Sequence, residues 1–227
     1  EKYMDNWLSR TENLIGTENI EKLQKSHVTV LGCGGVGSYS IEALARAGIG
    51  NITIIDNDTI DITNINRQIM ADTSVIGLSK VEVMKNRLLK INPKLNITIH
   101  QKFIDSSNVK ELINNTNYIV DAIDCVSSKI SVIEYATTNT IPIISSMGTG
   151  NKLDPTKFEI TDISKTSVCP LAKVIRKELR NLGINHLKVL YSKELPIKSS
   201  NTPTSISFVP SVAGLIIASE VVKDLLK

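Results

Sequence analysis

Short apolar runs alternate with amphipathic stretches along the first two thirds of the chain. Apolar runs bounded by Gly, Pro, Asn or Asp are typical of buried strands, whereas apolar positions recurring every three or four residues are typical of helices. Strands are predicted at residues 28–31, 51–56, 96–100, 118–121 and 141–145, and helices, with their capping residues, at 17–25, 36–47, 79–91, 108–115 and 127–139. This alternation predicts an α/β fold, a doubly wound, Rossmann-like and mostly parallel sheet.

The pattern changes after Gly148-Thr-Gly150. Strands at 157–162 and 188–191, an amphipathic helix at 171–182 and an apolar helix at 209–226 predict a small antiparallel C-terminal extension. We therefore place a boundary at this glycine pair, with residues 1–150 as the Rossmann-like domain and residues 151–227 as the extension.

Composition narrows the class of protein. With 41% hydrophobic and 22% charged residues, the 227-residue chain has the balance of a globular protein, not of a disordered or fibrous one. The apolar part of its longest uncharged stretch, residues 206–218, is too short to span a membrane. Three scattered cysteines are too few for a disulfide framework or paired zinc knuckles, so we expect a reducing, cytoplasmic location.

A glycine-rich turn follows the first predicted strand, in the order Gly32-Cys-Gly34-Gly35-Val-Gly37. In a strand–turn–helix unit, the first glycine of G-x-G-x-x-G permits a tight turn, the second lets backbone approach a phosphate, and the third allows close packing of helix and strand. The pattern predicts a phosphate site at the start of a helix, where free N–H groups face the anion. Taken alone, the glycine pattern is also consistent with an ordinary tight turn or with an NAD site.

Charged and amide side chains after the second strand change that interpretation. Asp56 ends the strand, in the position where an acidic residue accepts hydrogen bonds from ribose hydroxyls. The polar residues that follow it are Asp58, Asn64, Arg67, Gln68 and, at the start of the next helix, Lys80. Backbone and helix already hold the phosphates of a dinucleotide, so additional cations suit a triphosphate, which carries more charge. The segment therefore favours ATP over NAD.

Two carboxylates end the fourth strand, in Asp121-Ala-Ile-Asp124. Open α/β sheets bind ligands at the carboxyl ends of their strands, and Mg²⁺ with a triphosphate needs only one or two protein carboxylates. We expect Asp124 to bind Mg²⁺ together with ATP.

These motifs, in this order, resemble the ubiquitin-activating-like superfamily of adenylating enzymes over about residues 7–162. The resemblance implies that Gly32 to Gly37, Asp56, Asn64 with Arg67 and Gln68, Lys80, and Asp121 with Asp124 bind ATP, making residues 1–150 an adenylation domain. It also implies a homodimer in which an N-terminal arginine, here Arg10, reaches the partner's ATP. Some relatives relay sulfur through a cysteine, so a sulfur-transfer protein partner and a relay role for Cys169 remain open. Dependence on a monovalent cation is also open.

Within the superfamily, the chain is similar to the tRNA threonylcarbamoyladenosine dehydratase subfamily, above all in Ile160-Thr-Asp-Ile-Ser-Lys through Arg176. That resemblance implies an ATP-dependent dehydration of threonylcarbamoyladenosine at tRNA position 37, through an acyl-adenylate. Because the attacking group is tethered to the activated carboxylate, no obligatory catalytic cysteine is expected.

A basic helix face is consistent with an RNA substrate. Residues 152–198 hold ten Lys and Arg against five Asp and Glu, whereas the whole chain carries a net charge of +3. On the predicted helix 171–182 the cations Lys173, Arg176, Lys177 and Arg180 share one face. An ordinary solvated surface is the alternative interpretation, so these residues are not included in the predicted site.

Three other functions remain open from sequence. The first is activation of the C-terminus of a ubiquitin-like sulfur-carrier protein, against which the absence of two C-x-x-C zinc pairs counts. The second is an NAD-dependent oxidoreductase, and the third is a nucleotide-sensing scaffold without catalysis.

Overall fold

Over residues 7–197 and 204–227, which a computed structural model describes, eight α-helices surround one seven-stranded sheet. The strands are β1 (His27–Leu31), β2 (Asn51–Ile55), β3 (Asn96–His100), β4 (Tyr118–Asp121), β5 (Ile143–Ser146), β6 (Phe158–Asp162) and β7 (Lys188–Ser192). The helices are α1 (Ser9–Ile15), α2 (Thr17–Lys25), α3 (Gly37–Ala47), α4 (Lys80–Ile91), α5 (Val109–Leu112), α6 (Val126–Thr138), α7 (Pro170–Asn181) and α8 (Phe208–Leu226).

The strand order is β3-β2-β1-β4-β5-β7-β6, and every neighbouring pair is parallel except β7 and β6. The central strands β1 and β4 are buried almost along their whole length, as expected for parallel strands covered on both faces. The chain winds from β1 toward β3, then crosses back to β4. The carboxyl ends of β1 and β4 therefore lie at the switch point, where such sheets form a ligand crevice.

The doubly wound, mostly parallel sheet predicted from sequence is confirmed, and the predicted elements agree with the observed ones to within two residues at most ends. The C-terminal strands differ in one respect. β6 pairs antiparallel with β7 as expected, but β7 joins β5 in parallel, so the extension continues the main sheet. The domain boundary at residue 150 stays a prediction.

Helix ends follow the local sequence. Gly48 adopts a left-handed conformation (φ 101°) and ends α3, because a residue without Cβ enters that region without steric cost. Pro93 lies two residues beyond Ile91, the last residue of α4, close to where the helix was predicted to stop. The hydroxyl of Thr17 does not cap α2 but donates to Glu12 in α1, a helix that sequence analysis missed. No helix in the described ranges combines the length and the apolar character that a membrane span requires.

Candidate nucleotide-binding site

A cavity of about 660 Å³ opens at the carboxyl ends of the central strands, at the switch point of the sheet. It is lined by the loops that follow β1, β2, β3, β4 and β5. Ten predicted site residues line it: Gly32, Gly34, Gly35, Asp56, Asp58, Asn64, Arg67, Gln68, Lys80 and Asp124. The fold thus brings together residues that are spread over more than ninety positions of the sequence.

The glycine loop places backbone where side chains would not fit. Gly32 has φ 89°, and a Cβ built on it would lie 2.5 Å from the carbonyl oxygen of Ala122 in the loop after β4. A Cβ on Gly37 would lie 1.7 Å from the carbonyl oxygen of Gly32. Gly34 differs, because the nearest atom to its Cβ would be 3.8 Å away. Gly32 and Gly37 therefore shape the turn, while Gly34 faces the open cavity.

Asp56 organises the loops around the cavity as well as facing it. One carboxylate oxygen accepts the N–H of Cys33 at 2.7 Å, and the other accepts the N–H of Asp58 at 2.8 Å. Burial raises the pKa of Asp56 despite these hydrogen bonds and the nearby Lys80 ammonium. The carboxylate thus ties the glycine loop to the loop after β2, and its predicted contact with ribose stays a prediction.

Two cations are held by the segment after β2. The side chain of Lys80 is 7% exposed, and its Nζ lies 2.8 Å from Oδ2 of the exposed Asp58 carboxylate. Arg67 is positioned by a short 3-10 turn, Ile62–Asn64, and its Nη1 donates to the Thr63 carbonyl and to Asn66 Oδ1, both at 2.9 Å. Both side chains line the cavity, where they provide the positive charge that a triphosphate requires.

The two predicted amide side chains are both buried in the cavity wall. Asn64 accepts the N–H of Asp61 at 3.0 Å and so helps to build the turn that carries Arg67. Gln68 is 5% exposed, and within the described part of the chain its Oε1 has no hydrogen-bond partner. An unsatisfied buried acceptor at a cavity wall is available to a ligand donor.

The carboxylates after β4 have different surroundings. Asp124 is exposed at the cavity, and no hydrogen bond or ion pair engages its carboxylate among the residues described. Asp121 is fully buried, does not line the cavity, and pairs with Lys129 and Ser145. The expectation that Asp121 contacts ATP is therefore wrong, because Lys129 and Ser145 hold its carboxylate in the protein interior.

The donor set fits Mg²⁺ that arrives with a triphosphate. Among the residues described, no group of three or more metal-ligating side chains exists. Mg²⁺ keeps several waters and takes one or two carboxylates plus substrate phosphates, so the single free carboxylate of Asp124 is sufficient.

Besides Asp121, two predicted site residues do not line the cavity. Gly37 serves packing, as described above. Arg10 lies exposed on α1, so its predicted contact with a partner's nucleotide stays a prediction.

Sequence analysis also missed part of the wall. Lys102, Phe103 and Ile104 follow β3 and line the cavity, and so do Ser146 at the end of β5 and residues 147–150 after it. The available indication was their position, since each group follows the carboxyl end of a predicted strand, where α/β sheets bind ligands.

The cysteines differ in access to the cavity. Cys33 is buried, and burial raises the pKa of its thiol. Cys169 is buried too, and its sulfur packs under Gly148. Cys125 lines the cavity, and hydrogen bonds from the Ser127 hydroxyl and from N–H groups at the start of α6 lower its pKa to about 7. Cys125, not Cys169, is thus the cysteine that lines the cavity.

A switch-point cavity with a glycine loop, two cations and an unpaired carboxylate defines a nucleotide-binding α/β protein suited to a triphosphate. Comparison with known proteins narrows the class. The ThiF family model matches residues 8–227. A protein of Bacillus subtilis (strain 168), named tRNA threonylcarbamoyladenosine dehydratase, is 44% identical over 96% of this chain and 94% of its own length.

Solved structures agree with the sequence comparison. Crystal structures of Escherichia coli tRNA N6-threonylcarbamoyladenosine dehydratase superpose with TM-scores of 0.93 for the complex with AMP and 0.92 for that with ATP. They are 35% and 34% identical to this chain, covering 98% and 97% of it and 96% and 94% of their own length. The chain therefore belongs to the ThiF family and, within it, to the family of tRNA threonylcarbamoyladenosine dehydratases.

Proposed function

We propose that this protein uses ATP to dehydrate N6-threonylcarbamoyladenosine at position 37 of tRNA. The threonyl carboxylate attacks the α-phosphate of ATP and releases pyrophosphate, which forms an acyl-adenylate. A nitrogen of the same side group then attacks the acyl carbon, and AMP leaves. The net change in the nucleoside is cyclisation with loss of one water. The enzyme is thus of the ligase type, and its cosubstrate is ATP.

One observation carries this proposal: Lys80 and Arg67 lie with the glycine loop around a cavity large enough for a nucleotide and an acyl group. A carboxylate is a poor electrophile because hydroxide leaves badly, and adenylation replaces hydroxide with AMP. The protein need only align the reactants and stabilise phosphate charge, since the nucleophile is tethered to the electrophile.

Each predicted residue has a role in this scheme. The glycine loop and the N-terminus of α3 hold phosphate oxygens, and Asp56 accepts hydrogen bonds from ribose. Lys80 and Arg67 neutralise the charge that develops between the α-phosphate and the departing pyrophosphate. Asp124 holds Mg²⁺ that arrives with ATP, and the metal supplies further charge neutralisation.

The assembly and its location belong to the same proposal. We place Arg10 at the nucleotide of a second copy, which makes the enzyme a homodimer. The three free cysteines and the tRNA substrate support a cytoplasmic location.

Mass spectrometry of nucleosides tests the proposal directly. Threonylcarbamoylated tRNA incubated with the protein, ATP and Mg²⁺ should yield a nucleoside lighter by one water, with one AMP released per product. Unmodified tRNA is the control and should release no AMP above background. A folded protein that binds ATP but forms no such nucleoside would contradict the proposal.

Activation of a ubiquitin-like sulfur carrier remains the second candidate, because the same ATP site serves both reactions. It would be favoured by ATP–pyrophosphate exchange that depends on a carrier ending in Gly-Gly and not on tRNA. Among the residues described, the three cysteines do not form the paired C-x-x-C zinc site of such activators. Binding of NAD without binding of ATP would instead favour an oxidoreductase.

A further inference from the structure

A buried ion pair lies directly beneath the cavity, outside the group of residues that line it. Asp121 at the end of β4 and Lys129 in the first turn of α6 are both fully inaccessible to solvent, and Lys129 Nζ lies 2.9 Å from Asp121 Oδ2. Removing two charges from water is costly, and the attraction between them seldom gives a net gain over a packed apolar pair. Stability alone therefore does not explain why this pair is buried here.

The pair clamps one residue of the loop between β4 and α6. The N–H of Ile123 donates to Asp121 Oδ1 at 3.1 Å, and the carbonyl of Ile123 accepts from Lys129 Nζ at 2.9 Å. The hydroxyl of Ser145 on β5 donates to the same Asp121 oxygen that faces Lys129. Both polar backbone groups of Ile123 are thus fixed by buried charges that are themselves held by two strands and a helix.

The clamped residue controls the functional part of the loop. Asp124 follows Ile123 directly and presents its carboxylate to the cavity. The preceding residue, Ala122, donates its N–H to the Leu31 carbonyl at 2.8 Å, and its own carbonyl occupies the space where a side chain on Gly32 would lie. A shift of this loop would therefore move Asp124 and disturb the glycine turn together.

We infer that the Asp121–Lys129 ion pair is a positioning device that holds the Ile123 peptide so that the Asp124 carboxylate faces the metal-bound triphosphate. The two residues act through Asp124 and do not touch the nucleotide. The inference rests on the proposed function, which gives Asp124 its role toward Mg²⁺. A neutral pair could fill the same volume, but it would leave the Ile123 carbonyl without its buried donor.

The test compares the double variant D121N/K129M with Asp124→Asn. The double variant strands no charge and loses only the donor to the Ile123 carbonyl. It should therefore unfold at a higher temperature than Lys129→Met alone, which also leaves a buried carboxylate unpaired. Calorimetry then measures ATP affinity of the full chain with and without Mg²⁺. Without Mg²⁺, the double variant and the wild type should agree within about threefold, because Lys80 and the glycine loop are intact.

With Mg²⁺, the double variant should lose about tenfold in ATP affinity and match Asp124→Asn, a loss typical of removing groups that orient a metal ligand. The control is K188M/E220Q, which removes the charges of Lys188 and of one of its two acidic partners between β7 and α8. Asp224, the other partner, keeps its contacts with Tyr118 and Lys227, and none of these residues lines the cavity. The control should keep the full effect of Mg²⁺.

The outcomes separate the inference from the proposed function. If Asp124→Asn loses the effect of Mg²⁺ while the folded double variant keeps it, positioning by the ion pair is refuted and the function stands. If the control loses as much as the double variant, the effect is not specific to this loop, and the inference is also refuted. Failure of the wild type to produce the dehydrated nucleoside, with the Mg²⁺ results as expected, would refute only the proposed function.

Discussion

At the scale of single residues, Lys80 and Arg67 carry the charge stabilisation. We predict that Arg67→Ala and Lys80→Ala each slow AMP formation on modified tRNA by about 100-fold, because each removes a positioned donor from a developing charge. The fold should survive both changes. Among the residues described, Arg67 forms hydrogen bonds within its own loop. Loss of Lys80 leaves the buried Asp56 carboxylate with its two backbone hydrogen bonds, and the Asp58 carboxylate is 56% exposed.

Single-turnover assays and thermal melting measure the two effects separately. Lys85→Ala, on the same helix as Lys80 but outside the cavity wall, is the matched control and should keep the wild-type rate. Wild-type turnover by a folded double variant lacking both cations would contradict the assignment.

The same scale shows what sequence can and cannot predict. The roles of Arg67 and Lys80 could be predicted because a triphosphate carries additional negative charge that two cations neutralise. The phosphates of a dinucleotide are already held by the backbone and the helix N-terminus. Asp121 and Asp124 are three positions apart and chemically identical, so composition could not separate the buried carboxylate from the exposed one. That distinction depends on Lys129, which enters from the next helix, and on Ser145 from the neighbouring strand.

At the scale of one element, the turn between β1 and α3 separates packing from binding. We predict that Gly37→Ala destabilises the protein by about 3 kcal/mol, because its Cβ would overlap the Gly32 carbonyl and force the turn to move. Gly34→Ala should leave stability nearly unchanged, since its Cβ has room, yet weaken ATP binding at least tenfold by occupying the space of a phosphate.

Urea unfolding and nucleotide calorimetry on the two variants check this contrast. Gly183→Ala is not a suitable control, because that glycine has a positive φ and is strained by any side chain. Gly148→Ala is suitable for stability, since the nearest atoms to its Cβ would be 3.9 Å away. Equal stability of the Gly37 and Gly34 variants would show that the turn is not packed as described.

The type and position of a helix or strand could be predicted wherever a local sequence pattern determines them. They were harder to predict where contacts between distant parts of the chain determine the structure. The strands from β1 to β5 follow from β-branched runs, whereas the joining of β7 to β5 involves segments more than forty residues apart and leaves no local trace. Helix α7 shows both cases. Its amphipathic pattern is confirmed, but Arg176 on the predicted basic face turns inward and donates to Thr166 Oγ1 at 2.6 Å.

At the scale of the whole molecule, an ionic cluster joins α8 to the sheet. Lys188 on β7 contacts Glu220 and Asp224 of α8, and Tyr118 on β4 donates to Asp224 at 2.7 Å. The hydrogen bond from Lys188 lowers the pKa of Glu220. Burial alone would raise the pKa of Asp224, but its hydrogen bonds outweigh that effect and lower it.

Acid should therefore loosen this cluster. Carboxylates with depressed pKa values contribute stability that is complete above their unfolded values near pH 4 and is lost as the pH falls through the folded values. We predict that the thermal midpoint drops between pH 6 and pH 3.5, and that about 2–4 °C of this drop, equivalent to about 1 kcal/mol, is absent in K188M/E220Q. Scanning calorimetry at both pH values measures the drop in thermal midpoint for each protein. An equal drop in the wild type and in K188M/E220Q would contradict the prediction.

The surface of α7 extends the site toward a large substrate. The helix begins at Pro170, next to Leu171 in the cavity wall, and twelve residues carry it about 18 Å away. Its cations Lys173, Lys177 and Arg180 are exposed, and no ion pair with an acidic group engages them in the described part of the chain. A tRNA with nucleotide 37 in the cavity would place neighbouring phosphates within reach of this face.

Salt titration decides whether the surface is used. Each phosphate that a protein cation neutralises adds about 0.7–0.9 to the slope of log affinity against log salt concentration, so K173A/K177A/R180A should reduce the tRNA slope by about 2–3 units. ATP affinity should not change, since none of the three lines the cavity. The control variant K22A/K25A/K110A removes the same charge from two other helices and should reduce the slope by less than 1. Arg176 is left intact because it anchors α7, so a changed slope reports lost phosphate contacts and not a displaced helix. Equal slopes for the α7 variant and the wild type would contradict the prediction and make this face an ordinary solvated surface.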